Sequence, residues 1–320
     1  MKYRGPWSYG TPLARAVFEE FRYPLVSLTS PDIVVLYSFT AQMIQSITMR
    51  KSYDLAGPLW RTAPWKNIVK DKEQLLYDLG FSLACLLEQT DGLEQLAATR
   101  TSTSKVDLLL DTINSSLELL NALDKFKGDY FINSIILSDT YPIEVSESLG
   151  KAFQQVEMDF KLESLVMTWW SFSVILAFTN KRLSELAHQH TWYSSSSILE
   201  TLKGLVEILE DDYCDIDRSH IGRKVLRTIG IILQSNMGHF WFSRTIFPLT
   251  AATLQFYQSK PDMDICERIK DQITIRKGFR FAQRLTSQLG RQISFVDDNN
   301  TASVQVREIH LSQEPESYQG

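Results

Sequence analysis

The run Val166–Phe178, VMTWWSFSVILAF, decides how the rest of this chain has to be read. A stretch that apolar belongs either in a bilayer or in the middle of a protein core. Spanning hydrocarbon takes about 20 apolar residues in helical form, and this run falls short. It reads as the buried central helix of a large domain. The remaining sequence then has to supply the amphipathic helices that cover it.

Those helices are marked by their caps and their period. Thr11-Pro12 places a capping hydroxyl before a proline whose missing N–H is harmless in a first turn, and LARAVFEEFR follows with helical alternation. Ser30-Pro31-Asp32 repeats the device, with a carboxylate near the positive helix end. From Asp71, DKEQLLYDLGFSLACLLEQ aligns Leu75, Leu79, Leu83, Leu86 and Leu87. Over 106–123, Leu109, Ile113, Leu117 and Leu120 fall in line. Further helices are expected near 155–190, 195–210, 218–235, 243–258 and 262–287. Breaks are expected at Tyr141-Pro142, across the acidic run 210–217, at Asn236-Met237-Gly238 and at Lys260-Pro261. Period-two alternation is confined to Ala302–Leu311, whose polar flanks favour a loose tail over a strand. The expectation is an all-α, multi-helix layered bundle: one domain over 1–288, then a flexible tail over 289–320.

One segment stands apart. Residues 26–42 are more apolar and β-branched than their neighbours. Val26-Ser27 and Gln42 are codable as the two edges of an intron, and removing 26–42 joins the flanks into one amphipathic helix, FEEFRYPLMIQSITMRK. The segment reads either as a translated intron or as a helix started at Ser30-Pro31, and the transcript distinguishes them.

Composition narrows the function. The 320 residues are 44% hydrophobic and carry a net charge of −5. A protein that holds DNA by itself gathers many Lys and Arg on one face to displace counterions. Here basic residues come in small groups, of which Arg276-Lys277-Arg280-Arg284 is the largest and reads as a solvated helix face. Cys85, Cys214 and Cys266 are scattered without a CxxC, which argues against local zinc ligation and against a disulfide framework. Charged residues occupy the place a signal peptide needs for its apolar core, so a reduced, intracellular protein is expected.

Three stretches carry polar groups of chemical interest. Asp211-Asp212-Tyr213-Cys214-Asp215 fits DDxxD and is similar to the Mg²⁺-binding motif of class I terpene synthases, where carboxylates hold the metal and a prenyl diphosphate. No second Asn/Ser/Glu ligand set follows it, so the preferred reading is a solvated loop between helices. His188 and His190 diverge by about 200° on a helix and so would not share a metal there; in an extended loop they could, but no nearby Cys, Asp or Glu completes a site, and the preferred reading is a surface pair. In Gln234–Tyr257, His239 and Arg244 could meet an anion and Ser243 offers a hydroxyl, but no acid is placed to orient His239 and no nucleophile elbow surrounds Ser243. That aromatic band reads as core packing, as does Trp169-Trp170. No catalytic residue, metal ligand or cofactor is expected.

The order of motifs is more informative than any one of them. An LARAVFEEFR helix, QSITMRK, the corner GPLWRTAPW and LLYDLGFSLACLLEQTDGL are followed by a Trp-rich helix, QSNMGHFWFSRTIFPLTAATLQFY and CERIKDQITIRKGFRFAQRL. This series, over most of residues 11–287, resembles the C-terminal regulatory region of fungal zinc-cluster transcription factors. The resemblance maps Leu59, Trp60, Arg61, Pro64 and Trp65 onto a family corner. It maps Met237, Gly238, Phe247, Pro248, Leu249 and Ala251 onto a second motif, and Cys266, Gly278, Phe279, Phe281 and Ala282 onto a terminal helix. Thr250 stands where the family commonly has arginine, and the six closely spaced cysteines of the family's DNA reader are missing. The resemblance implies a transcription-associated regulatory domain in the nucleus, the cytoplasm being the alternative location. It further implies protein partners or a small-molecule effector, with neither direct nucleic-acid binding nor a membrane. The rival reading is an all-α, Mg²⁺-dependent, terpene-synthase-like enzyme using Asp211, Asp212 and Asp215. As for the corner itself, Pro64 ends helix before it, Arg61 can satisfy helix-end carbonyls, and the indoles of Trp60 and Trp65 bury wide apolar surface. It is expected to be structural.

Overall fold

The computed structural model describes residues 40, 42–52, 62, 69–97, 103–139, 159–190, 196–213, 216–234 and 239–277. Within them the chain is all-α. After a helical run over 42–48 come α1 (Lys72–Ala97), α2 (Thr103–Tyr130), α3 (Phe160–His190), α4 (Ser196–Tyr213), α5 (Ile216–Gln234), α6 (His239–Gln255) and α7 (Lys260–Lys277). Among the described residues no strand occurs.

The opening apolar run lies in the middle of α3, the hub of the bundle. α3 packs against α1, α2, α4, α5 and α6, while α7 rests on α5 and α6. Its stretch Phe160–Gln189 has the length and hydropathy to cross a bilayer, yet 83% of the apolar window is buried inside the protein. That burial identifies it as a core helix. Trp170, Phe172 and Val166 are fully enclosed. Each indole also finds an acceptor: Trp169 Nε1 donates to the Leu123 carbonyl at 3.0 Å and Trp170 Nε1 to the Arg218 carbonyl at 2.9 Å. The two tryptophans therefore pack as apolar plates and at the same time fix the end of α2 and the start of α5.

Two cores share α3. The larger one collects α1, α2, α3, α5, α6 and α7. The smaller joins Leu93 of α1, Leu109 and Ile113 of α2, Leu183, Leu186 and Ala187 of α3, and Leu202, Val206 and Leu209 of α4. Within the larger core two glycines permit close approach. A Cβ on Gly80 would meet Phe172 at 2.7 Å, and one on Gly222 would meet the Trp170 indole at 2.7 Å and the Phe256 ring at 2.9 Å.

Helix ends follow local chemistry. Asp71 and Gln74 form a reciprocal box at the start of α1: Asp71 Oδ1 accepts from the Gln74 N–H at 2.9 Å, and Gln74 Oε1 from the Asp71 N–H at 3.0 Å. Asp159 Oδ1 caps α3 by accepting from the Lys161 and Leu162 N–H groups. The 42–48 run closes in a Schellman arrangement, with Lys51 N–H to the Ser46 carbonyl and Arg50 N–H to the Ile47 carbonyl. Arg50 occupies the left-handed position at φ 49°, where glycine is usual. Its guanidinium grips Asp91 of α1, Nε lying 2.8 and 3.0 Å from the two carboxylate oxygens. Beyond α2, the turn over 131–139 is tied down at both ends. Glu163 of α3 accepts from Ser134 Oγ and from the Ile135 and Ile136 N–H groups, and Lys224 of α5, 2% exposed, donates to the Ser138 carbonyl at 2.8 Å.

Several boundaries differ from expectation. α2 continues to Tyr130 because Phe126 is buried and meets the Phe131 ring edge-on at 5.3 Å. The acidic run is helical through Tyr213, and α5 resumes at Ile216, so Asp211 and Asp212 close a helix where a loop was expected. Lys260-Pro261 opens α7, with the proline in the first turn, where its missing N–H removes no helical bond. The breaks at 141–142 and 236–238, the segment 26–42 apart from its helical residues 40 and 42, the alternation over 302–311 and the tail over 289–320 lie outside the described residues.

Candidate functional site

Of the residues assigned by family resemblance, Leu59, Trp60, Arg61, Pro64, Trp65, Met237, Gly238, Gly278, Phe279, Phe281 and Ala282 lie outside the described residues. Phe247, Pro248, Leu249 and Ala251 lie in α6 and are buried, the Phe247 ring meeting Phe172 edge-on at 5.8 Å. Pro248 sits inside the helix and removes the backbone bond that would reach the Arg244 carbonyl. Thr250 is buried and its hydroxyl donates to the Ile246 carbonyl of its own helix at 2.9 Å. Cys266 belongs to the larger core, where burial, with Asp262 and Glu267 nearby, pushes its thiol up to about 12. That sulfur stays protonated and unreactive.

The stretches of chemical interest resolve differently. Asp211 and Asp212 belong to the last turn of α4, while Cys214 and Asp215 lie outside the described residues. His188 is exposed near the end of α3, its Nε2 3.0 Å from Glu210 Oε1 of α4, and Ser184 Oγ donates to the same oxygen at 2.8 Å. The hydrogen bonds from His188 and Ser184 hold the Glu210 carboxyl below its ordinary range. Glu210 comes from the next helix, 22 residues on, so the sequence around His188 does not show this partner. Among the described residues no group of three or more His, Cys, Asp and Glu is arranged to hold a metal.

Arg244 gives the most concentrated polar site. It lies in the second turn of α6, 13% exposed, and its Nη2 donates to Glu73 Oε1 in the first turn of α1. Nη1 lies 3.4 Å from Ser164 Oγ of α3. Tyr77, one turn after Glu73, donates its hydroxyl to the same carboxylate oxygen. Glu73 is 2% exposed. Three helices thus bring a guanidinium, a carboxylate, a phenol and a hydroxyl to one end of the bundle.

Each group has a physical reason to be there. Glu73 is favoured in the first turn of α1, where the helix dipole is positive. Burial raises the Tyr77 pKa, Arg244 opposes that and Glu73 adds to it, so the phenol remains a hydrogen-bond donor. The carboxylate already takes a guanidinium and a phenol, which leaves it poorly placed to abstract a proton from a substrate. A charge-assisted pair of this kind positions helices. By sequence His239 and Arg244 could meet an anion, with core packing the preferred reading of the stretch; the carboxylate that Arg244 meets is Glu73 of this same chain. The partner was not legible, since 171 residues separate the two.

No family model, curated protein or solved structure matches the chain.

Proposed function

We propose that this chain is a regulatory and interaction domain similar to the effector region of fungal zinc-cluster transcription factors, acting through a protein partner or a small-molecule effector and not by holding DNA itself. The observation that carries the reading is the order of the motifs along the chain, from LARAVFEEFR through GPLWRTAPW and FPLTA to CERIKDQ. Packing supports it: Phe247, Pro248, Leu249, Ala251 and Cys266, the motif positions within the described residues, are all buried, so these motifs serve as scaffold. A net charge of −5 further favours contacts other than with phosphate backbones.

The test joins location to activity. The tagged full chain, expressed in its own host, is expected in the nucleus and to co-purify with a transcription regulator. A cytosolic protein without such a partner counts against the reading. Incubation with prenyl diphosphates and Mg²⁺ is the second arm. Pyrophosphate release that disappears in Asp211→Ala would replace the regulatory reading with the enzymatic one.

A further inference from the structure

The helical run over 42–48 is fastened in two ways. Met43 and Ile47 are fully enclosed in the larger core, Met43 lying against Gly80 of α1. Past its cap, the chain is held to α1 by polar groups. Arg50 pairs with Asp91, and one oxygen of Glu88, a turn earlier on α1, takes both the Ser52 N–H at 2.9 Å and the Ser52 hydroxyl. The bonds from Ser52 hold the Glu88 carboxyl below its ordinary range. Lys51 is exposed, and Ser52, Glu88 and Asp91 are half-buried, so this tether runs along the edge of the protein. Ser52 follows Arg50-Lys51, and kinases with acidic substrate grooves choose acceptors by such charge. A similar pattern recurs at Lys181-Arg182-Leu183-Ser184, but Ser184 is 4% exposed inside α3. The fold offers the first hydroxyl and withholds the second.

We propose that Ser52 is a phosphorylation site for a basic-directed serine kinase, and that the phosphate releases the 49–52 tether from α1. In the transfer the γ-phosphoryl of ATP moves to Ser52 Oγ, the hydroxyl proton passes to the kinase's catalytic carboxylate, and ADP leaves. The product reverses the local chemistry. Oγ no longer donates to Glu88, and a charge of about −2 stands beside Glu88 and Asp91 and just past the negative end of the 42–48 helix. Arg50 and Lys51 adjoin the phosphate in sequence and can follow it away, whereas the two carboxylates are fixed on α1. Met43 and Ile47 are held by apolar contacts that the phosphate does not touch, so the run stays seated while its tether lifts. Nothing in this device depends on the regulatory reading of the chain.

The folded full chain, incubated with ATP and the catalytic subunit of protein kinase A, tests both halves of the proposal. Peptide mapping by mass spectrometry is expected to find phosphate on Ser52 and none on Ser184. A kinase takes its acceptor in extended chain, so the reaction passes through local opening of the tether. Glu88→Gln, which weakens the tether at a half-buried position, is therefore expected to accept phosphate severalfold faster. No phosphate on Ser52, phosphate on Ser184 in the folded chain, or equal rates in the two proteins overturns the site. Native-state hydrogen exchange then compares the phosphorylated and unmodified chains. The amides of Met49, Arg50, Lys51 and Ser52 are expected to exchange about tenfold faster, the factor that follows from losing one hydrogen bond to a charged group. Those of Ile113–Leu123 in α2 and Val225–Ile232 in α5 are expected to keep their rates. Unchanged exchange over 49–52, or an equal rise in all three segments, overturns the release.

Discussion

Two buried carboxylates respond to their surroundings in opposite directions. Glu163 has no cation within ion-pair distance among the described residues, and burial raises its pKa above the ordinary range, against the pull of the Ile135, Ser134 and Ile136 donors. A raised folded-state value means that its contribution to stability is present below the unfolded pKa and is lost as pH rises through the folded one. Gln at this position has one acceptor oxygen in place of two, so one of the two N–H groups loses its acceptor, a loss that does not vary with pH. In urea unfolding the stability of Glu163→Gln relative to wild type should therefore shift in the variant's favour from about pH 4 to about pH 7; a difference independent of pH would be inconsistent with this account. For Asp262 burial also raises the pKa, but the bonds from Arg223 Nε at 3.1 Å, Arg223 Nη2 at 3.0 Å and Ser259 Oγ at 2.6 Å outweigh it, and the net shift is downward. Its contribution is present above the unfolded pKa and is lost as pH falls through the folded one. Wild type and Asp262→Asn should accordingly converge in stability on acidification, and a gap that widens in acid would contradict the pairing.

At the scale of single helices, α3 concentrates the consequences of mutation. Trp170→Ala removes a fully enclosed indole that packs over Gly222 and caps the Arg218 carbonyl. The expected loss is about 3–5 kcal/mol in chemical denaturation. Trp170→Phe keeps a ring and removes the indole's hydrogen bond to that carbonyl, for about 1 kcal/mol. Equal losses would mean that the hydrogen bond contributes most of the indole's value. α3 was also the most legible element, because a run such as VMTWWSFSVILAF has no stable place in a helical bundle except its centre. The leucine stripe of α1 and that of α2 could likewise be read from their period, as Leu83, Leu87, Leu109 and Ile113 all lie in cores. The acidic run was misread because DDY contains no glycine or proline to stop a helix, and charge alone does not end one. Pairings such as Arg182 with Glu94, 88 residues apart, and Arg244 with Glu73 depend on how helices are arranged in space, which no local period encodes.

For the molecule as a whole, α1, α2, α4, α5 and α6 all pack directly on α3, including helices that precede it in the chain and helices that follow it. The fragment 1–158 is therefore expected to lack a cooperative thermal transition, and a sharp melt of that fragment would show that α1 and α2 need no hub. Order of synthesis adds to this. α2 ends at Tyr130 and α3 does not finish until His190. At about 5–20 residues per second on the ribosome, the leucine faces of the first hairpin wait several seconds for the surface that covers them. A nascent chain in that interval is a natural client for ribosome-associated chaperones, and the demand ends when the central helix clears the exit tunnel.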